Sequence, residues 1–225
     1  MGSKNKLKRF NENDSFNNVF QPKRGELVDQ TYPLKGHWNQ EFFKNSNPLV
    51  LELGCGKGEY TIGLAERYPD KNFIGIDIKG ARFWRGAKTA VEKQLPNVAF
   101  IRAQIELVES LFASNEIDEI WITFPDPFPR DGDEKRRLTS PKFLEMYKQL
   151  VKAGGLIHFK TDNTGLYEYT ELVLSVRPDC QIRNNTSDFY ESELRDAHYG
   201  IKTRYEKIFS DKGEKIKYIQ FSFIE

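Results

Sequence analysis

Cysteine is nearly missing from this 225-residue chain, which holds only Cys55 and Cys180. Two such distant thiols make no CxxC redox pair, no metal-ligand spacing and no disulfide framework, so a reducing cytosol is the expected compartment. Histidine is almost as scarce. His37, His158 and His198 fall at no metal-binding interval, so no metal is expected, and His158 in the run Ile157-His158-Phe159 reads as a packed strand residue. Long hydrophobic runs are absent too: nothing approaches the ~20 apolar residues of a membrane span, and Met1-Gly2-Ser3-Lys4 opens a polar stretch without an apolar signal core. A soluble cytoplasmic protein with no membrane partner is therefore expected. Neither sign of charge dominates, with 34 basic and 33 acidic side chains giving a net charge of +1. That excludes a histone-like polycation. It leaves a nucleic-acid partner open, because phosphate affinity depends on where the positive groups cluster.

What is present is a repeated switch of hydrophobic period within a length suited to one α/β domain, which can bury roughly 70% of its extended surface. Apolar runs at Pro48–Leu53, Asn72–Ile78, Val98–Ile101, Ile117–Phe124 and Leu156–Lys160 predict strands. Helical patterns at Lys57–Tyr68, Ala81–Leu95, Ile105–Phe112 and Pro141–Val151 lie between them, with Gly154 and Gly155 turning the last helix into its strand. Five such alternations imply a mostly parallel sheet covered on both faces. The end differs: Thr203–Phe209 and Lys215–Phe223 flank Asp211-Lys212-Gly213 and predict an antiparallel hairpin. Residues 1–35 read as a polar, partly mobile arm carrying Lys4, Lys6, Lys8 and Arg9, a short helix is expected over Trp38–Lys44, and residues 36–225 as a single domain.

Two segments carry the chemistry. In Leu51-Glu52-Leu53-Gly54-Cys55-Gly56-Lys57-Gly58 a glycine-rich turn leaves an apolar run and opens a helix, and Asp77 ends the next apolar run. Gly54, Gly56 and Gly58 let a ligand approach the backbone, and Asp77 is placed either to accept the ribose hydroxyls of an adenosine or to cap the following helix. Glu52 decides between cofactors. A dinucleotide brings a pyrophosphate to this turn, which a carboxylate repels, whereas S-adenosylmethionine brings an ammonium and a sulfonium. After the third strand, Gln104 is either an adenine-binding amide or a surface helix cap.

The second segment, Phe124-Pro125-Asp126-Pro127-Phe128-Pro129-Arg130, follows the fourth strand, where open α/β sheets bind ligands. Its prolines restrict φ and fix the direction of Asp126. Lys135, Arg136 and Arg137 follow as candidate phosphate contacts, with a solvated loop as the alternative. Asp162 ends the fifth strand, and Thr203-Arg204-Tyr205-Glu206 gathers hydroxyl, guanidinium and carboxylate. The combination reads as a methyltransferase acting on nucleic acid. Its rivals are an enzyme methylating an exocyclic amine, a small-molecule methyltransferase, and a non-catalytic RNA-binding module.

Taken in order, LELGCGKG, GIDIKGAR, FPDPFPR with KRRL, KTDN and TRYE resemble the bacterial tRNA (guanine-N7-)-methyltransferase family from about Phe42 to Phe223. The resemblance implies a class I, Rossmann-like methyltransferase with a seven-stranded, mostly parallel sheet and a C-terminal antiparallel hairpin. It also implies methyl transfer from S-adenosylmethionine to N7 of the guanine at position 46 in the tRNA variable loop, with S-adenosylhomocysteine as product, tRNA as partner and no obligate protein partner, as monomer or homodimer. By motif, Glu52, Asp77, Gln104 and Asp126 match cofactor positions, Asp126 also being catalytic. Arg130, Asp162, Thr203, Arg204, Tyr205 and Glu206 match substrate positions. Gln104 stands where the family usually has Asp, Phe128 where it has Trp, and Arg130 where it has Lys. Either Asp126 or Asp162 is suited to accept the N1 and N2 donors of guanine.

Overall fold

The computed structural model describes residues 3–28, 31–198 and 200–224; the side chains of Ser3, Lys4, Ala197 and His198 lie outside the described ones. In chain order the helices are α1 (Ser3–Asn13), α2 (Arg24–Val28), α3 (Glu59–Arg67), α4 (Gly80–Glu92), α5 (Val108–Leu111), α6 (Pro141–Leu150), α7 (Thr164–Ser175) and α8 (Arg204–Ser210). The strands are β1 (Val19–Phe20), β2 (Leu49–Leu53), β3 (Asn72–Ile76), β4 (Val98–Ile101), β5 (Ile117–Thr123), β6 (Val151–Thr161), β7 (Cys180–Thr186) and β8 (Lys217–Phe223). The expected short helix is present as a π-helix over Trp38–Phe43 and buries Trp38.

All eight strands join one sheet in the order β1-β4-β3-β2-β5-β6-β8-β7. The first six pair in parallel, and β8 runs antiparallel to both β6 and β7. Parallel strands need helices on both faces, and the alternating side chains of β2 show the result. Leu49, Leu51 and Leu53 join Ile74, Ile76, Ile120 and Ile122 in one core. Val50 joins Phe73, Phe100 and Trp121 in the other. His158 is stacked on Trp121 with ring centroids 3.9 Å apart and shares a hydrogen bond with the Tyr218 hydroxyl, as expected for a packed strand residue. The chain leaves β2 toward β3 on one side and returns to β5 on the other. That switch opens a crevice at the carboxyl ends of these strands.

Three expectations are corrected here. Thr203–Phe209 is not a strand: Thr203 Oγ1 accepts from the Glu206 amide at 3.1 Å, and the Glu206 carboxylate accepts from the Thr203 amide. This capping box overrides the strand propensity of Tyr205, Ile208 and Phe209 and starts α8. The partner of β8 is instead β7, a polar edge strand preceded by α7, neither of which the hydrophobic pattern disclosed. Gly154 and Gly155 lie within β6 as an irregularity, where the pairing passes from Ile117 with Val151 to Glu119 with Leu156. The sheet also has one strand more than the expected seven, because Val19 and Phe20 add β1 alongside Phe100 and Ile101. Within residues 1–35, α1 packs on α4, its Glu12 accepting from Trp84 Nε1 and Lys88 Nζ.

Candidate active site

A cavity of about 400 Å³ occupies the crevice, lined by residues that follow β2, β3, β4 and β5. β2 runs into the glycine turn, where Gly54 and Gly56 have φ of +75° and +57°. A Cβ on either would meet nothing within 4 Å, so the backbone there is open to the cavity. Gly58, expected to serve the same site, does something else. A Cβ on it would fall 2.5 Å from the Phe100 ring, so it lets α3 pack closely on the sheet and does not line the cavity.

Glu52 is only 4% exposed and ties three elements together. Its Oε2 accepts from the Thr61 amide (2.8 Å) and hydroxyl on α3, and its Oε1 from the Thr123 hydroxyl on β5 (2.9 Å). Burial pushes its carboxyl up to about 7, against the pull of the two threonines. Asp77 has a place in the lining and a bracing role in the turn. It lines the cavity, while Oδ2 accepts from the Gly56 amide (3.0 Å) and Oδ1 from the Lys79 amide (2.7 Å), holding the glycine turn against the start of α4. Gln104 also lines the cavity. Its side chain makes no helix cap; its Oε1 accepts from Arg24 Nη1 at 2.6 Å.

On the neighbouring strand the proline loop leaves β5. Phe124 and Phe128 hold φ of +50° and +42°, a region that non-glycine residues seldom enter, and each turns the loop sharply. The Phe124 amide donates to the Lys160 carbonyl (2.9 Å), carrying the β5–β6 ladder one residue beyond the strand. Arg137 donates through Nε and Nη2 to the Phe128 carbonyl (3.1 and 3.0 Å) and lies 4.3 Å from the Tyr169 ring centroid. Between these two fixings Asp126 sits exposed on the cavity wall with Pro125 and Phe128.

The structure thus sorts the expected residues. Glu52, Gly54, Gly56, Asp77, Gln104, Asp126, Arg136, Thr203, Arg204 and Tyr205 share one cavity. Arg136 stacks on Phe128 at 4.2 Å and pairs with Asp133. Arg130 and Lys135 are exposed outside the lining, and Arg137 is committed to holding the loop. Asp162 is half-buried and not in the lining; burial raises its carboxyl, and its carbonyl accepts from Lys217 Nζ. Glu206 is completely buried, paired with Lys160 Nζ at 2.7 Å and accepting from the Tyr190 hydroxyl. It does not reach the cavity; it places the three residues before it, helped by Glu59, which accepts from the Arg204 amide (2.9 Å).

Sequence reasoning missed the buried partner of Lys160, and missed Thr123, Lys79 and Arg82 in the lining. A lysine inside the apolar run Ile157-His158-Phe159-Lys160 was the available signal, since a buried ammonium requires a buried partner. Among the described residues no His, Cys, Asp and Glu side chains gather as a metal site.

A family model described as "Putative methyltransferase" matches residues 46–219. A tRNA (guanine-N(7)-)-methyltransferase of Christiangramia forsetii is 55% identical over 98% of this chain and 99% of its own. Proteins of the same name from Bacteroides fragilis and Brevibacillus brevis are 44% and 39% identical, covering 97% and 88% of this chain and 85% and 91% of theirs. Among solved structures, an antibiotic-related methyltransferase superposes with a TM-score of 0.63 at 19% identity, over 87% of this chain and 97% of that one. The 16S rRNA methyltransferase KamB gives 0.64 at 13% identity, over 83% and 92%. At such identities these two structures speak for the fold, which is the Rossmann-like class I arrangement.

Proposed function

The chain belongs to the tRNA (guanine-N(7)-)-methyltransferase family, and from that premise we propose that its target is N7 of the guanine at position 46 in the tRNA variable loop, modified in the cytoplasm. It is an S-adenosylmethionine-dependent methyltransferase of tRNA guanine. The observation that carries the finer reading is the union, in one cavity, of the glycine turn with Asp126 and the Thr203–Tyr205 segment.

The residues present fit the cofactor. Gly54 and Gly56 leave the room that a side chain would take, Glu52 offers a buried carboxyl to a cationic amino-acid end, and Asp77 lies where a ribose diol needs an acceptor. When bound, S-adenosylmethionine supplies a methyl carbon on a positively charged sulfur, and S-adenosylhomocysteine is the product. Guanine N7 has a lone pair and no proton. No side chain therefore has to act as a base, and the work of the cavity is orientation and charge placement. Asp126, exposed on the wall and held by stiff flanks, is the carboxylate suited to guanine, both to accept from its N1 and N2 donors and to offset the positive charge that N7 acquires. Asp162 stands outside the lining, which favours Asp126 for this task. Thr203, Arg204 and Tyr205 line the same cavity.

Incubation of the protein with tRNA and methyl-labelled S-adenosylmethionine, followed by nucleoside analysis, tests the reading. Label is expected in 7-methylguanosine at one position, without added metal. Label at an exocyclic nitrogen or a ribose would overturn the N7 assignment, and label at another guanine would overturn position 46.

A further inference from the structure

We propose that the N-terminal segment is a working part of the cofactor site, with Arg24 as a positioning residue that fixes the Gln104 amide so that its Nε2–H2 group is presented to adenine. The inference rests on the cofactor reading above and adds a residue that lies outside every motif described so far.

The N-terminal segment packs behind the cavity residues that follow β3 and β4, and at one point, Gln104, it reaches the lining itself. Asn13 at the end of α1 donates through Nδ2 to the Gly80 carbonyl (3.0 Å), at the start of α4 and next to the lining residues Asp77, Ile78 and Lys79. Gly80 is so closely covered by Asn13, Gln21 and Arg102 that a Cβ there would lie 3.1 to 3.3 Å from their atoms. β1 pairs with β4, and the Phe20 carbonyl accepts from the Arg102 amide (2.8 Å), which sets the exit of β4 into Ala103 and Gln104. The Arg102 guanidinium in turn lies 4.8 Å from the Phe10 ring centroid. Arg24 completes the set by donating to Gln104 Oε1 at 2.6 Å.

The last contact has a chemical consequence. A carboxylate at position 104 offers the same acceptor from either oxygen, but an amide has a carbonyl end and an amino end, so its orientation matters. Arginine carries donors only, so the atom facing Arg24 has to be the carbonyl oxygen. The amino end is then the one left for the cavity, where it meets an acceptor nitrogen of the adenine ring. Without Arg24 the amide is free to rotate, and the site loses a fixed donor.

The test is calorimetric binding of S-adenosylhomocysteine to Arg24→Ala, Arg24→Lys, Gln104→Ala, Gln104→Glu and the Arg24→Ala/Gln104→Ala double variant, each checked for an unchanged thermal melt. Arg24→Ala and Gln104→Ala should each weaken binding by about tenfold, the scale of one charge-assisted hydrogen bond. The double variant should be no weaker than Gln104→Ala, and Arg24→Lys should retain most of the affinity. Gln104→Glu, which keeps an oxygen for Arg24 and removes the donor, should bind as weakly as Gln104→Ala. In turnover, Arg24→Ala should raise the cofactor KM and leave kcat and the tRNA KM unchanged. Wild-type affinity in Arg24→Ala, or additive losses in the double variant, would overturn the role of Arg24. Wild-type affinity in Gln104→Glu would overturn the donor assignment. A native protein that binds no S-adenosylhomocysteine would instead defeat the cofactor reading itself.

Discussion

Glu52 ties β2, α3 and β5 together and also lines the cavity. Two threonines satisfy its oxygens, yet burial keeps its carboxyl near 7, so in the free protein it holds a proton for much of the time at neutral pH. A cationic ligand end brought beside it favours the ionised form and lowers that value. Binding must then release a proton, and affinity must rise with pH through about 7, by less than tenfold per unit. Calorimetry with S-adenosylhomocysteine from about pH 6 to about pH 8, in buffers of different ionisation enthalpy, measures both effects. Glu52→Gln should remove them, and a pH-independent wild-type affinity would contradict the charge placement. Asp126 makes the opposite case. It is exposed and its side chain makes no hydrogen bond or ion pair among the described residues, so Asp126→Ala should leave the thermal melt intact while lowering single-turnover methyl transfer by roughly 10²-fold at saturating cofactor and tRNA. An unchanged rate would remove Asp126 from the chemistry.

At the scale of elements, α8 depends on a buried ion pair. Lys160 at the end of β6 and Glu206 in the first turn of α8 are both 0% exposed and lie 2.7 Å apart. Burial pulls the Lys160 ammonium down and Glu206 opposes that pull. Aromatic rings of Phe189 and Tyr60 surround the lysine at 4.7 and 5.3 Å. Removing one partner leaves an uncompensated buried charge, so Lys160→Met should cost roughly 3–5 kcal/mol, and adding Glu206→Gln should recover part of it. Thermal or urea unfolding of both single variants and of the double variant checks this; a double-variant loss equal to the sum of the two single losses would mean that the two residues are not coupled. The same pair explains what the sequence could disclose. Strands β2 to β6 and their helices were legible because parallel, doubly covered strands are apolar throughout, and Glu52, Asp77 and Asp126 were legible because they stand at the ends of such strands. α8 was misread because Tyr205, Ile208 and Phe209 favour strands, while its capping box is a polar signal that hydrophobic periodicity does not register. β7 was invisible because an edge strand with Gln181, Arg183, Asn184 and Asn185 has little apolar pattern. The pairs Lys160–Glu206 and Arg24–Gln104 join residues remote in the chain: a lysine in an apolar run signals a buried partner without saying which, and nothing local announces Arg24.

For the whole molecule the question is how a chain with a net charge of only +1 holds a polyanion. The cations have to be concentrated where the substrate lies, and the structure divides the candidates by what else they do. Lys57, Lys79, Arg82 and Arg136 line the cavity itself. Arg137 is tied to the Phe128 carbonyl, and Arg9 lies over Trp84 at 4.8 Å, so altering either disturbs packing as well as charge. Arg130 and Lys135 are exposed beside the proline loop and are the cleaner probes. Neutralising both should weaken tRNA binding across tRNA species and flatten the slope of log K against log salt by up to about two units, one for each phosphate that is no longer neutralised. Affinity for S-adenosylhomocysteine should not change, because neither residue lines the cavity. Arg137→Ala should behave differently, lowering the rate of methyl transfer at saturating tRNA because it frees the loop that carries Asp126. Filter binding over a salt series, with single-turnover rates on the same tRNA, separates the two effects. A wild-type salt slope in the Arg130→Ala/Lys135→Ala variant would place the phosphate track elsewhere on the molecule, and a wild-type rate in Arg137→Ala would show that the loop keeps its shape without that bond.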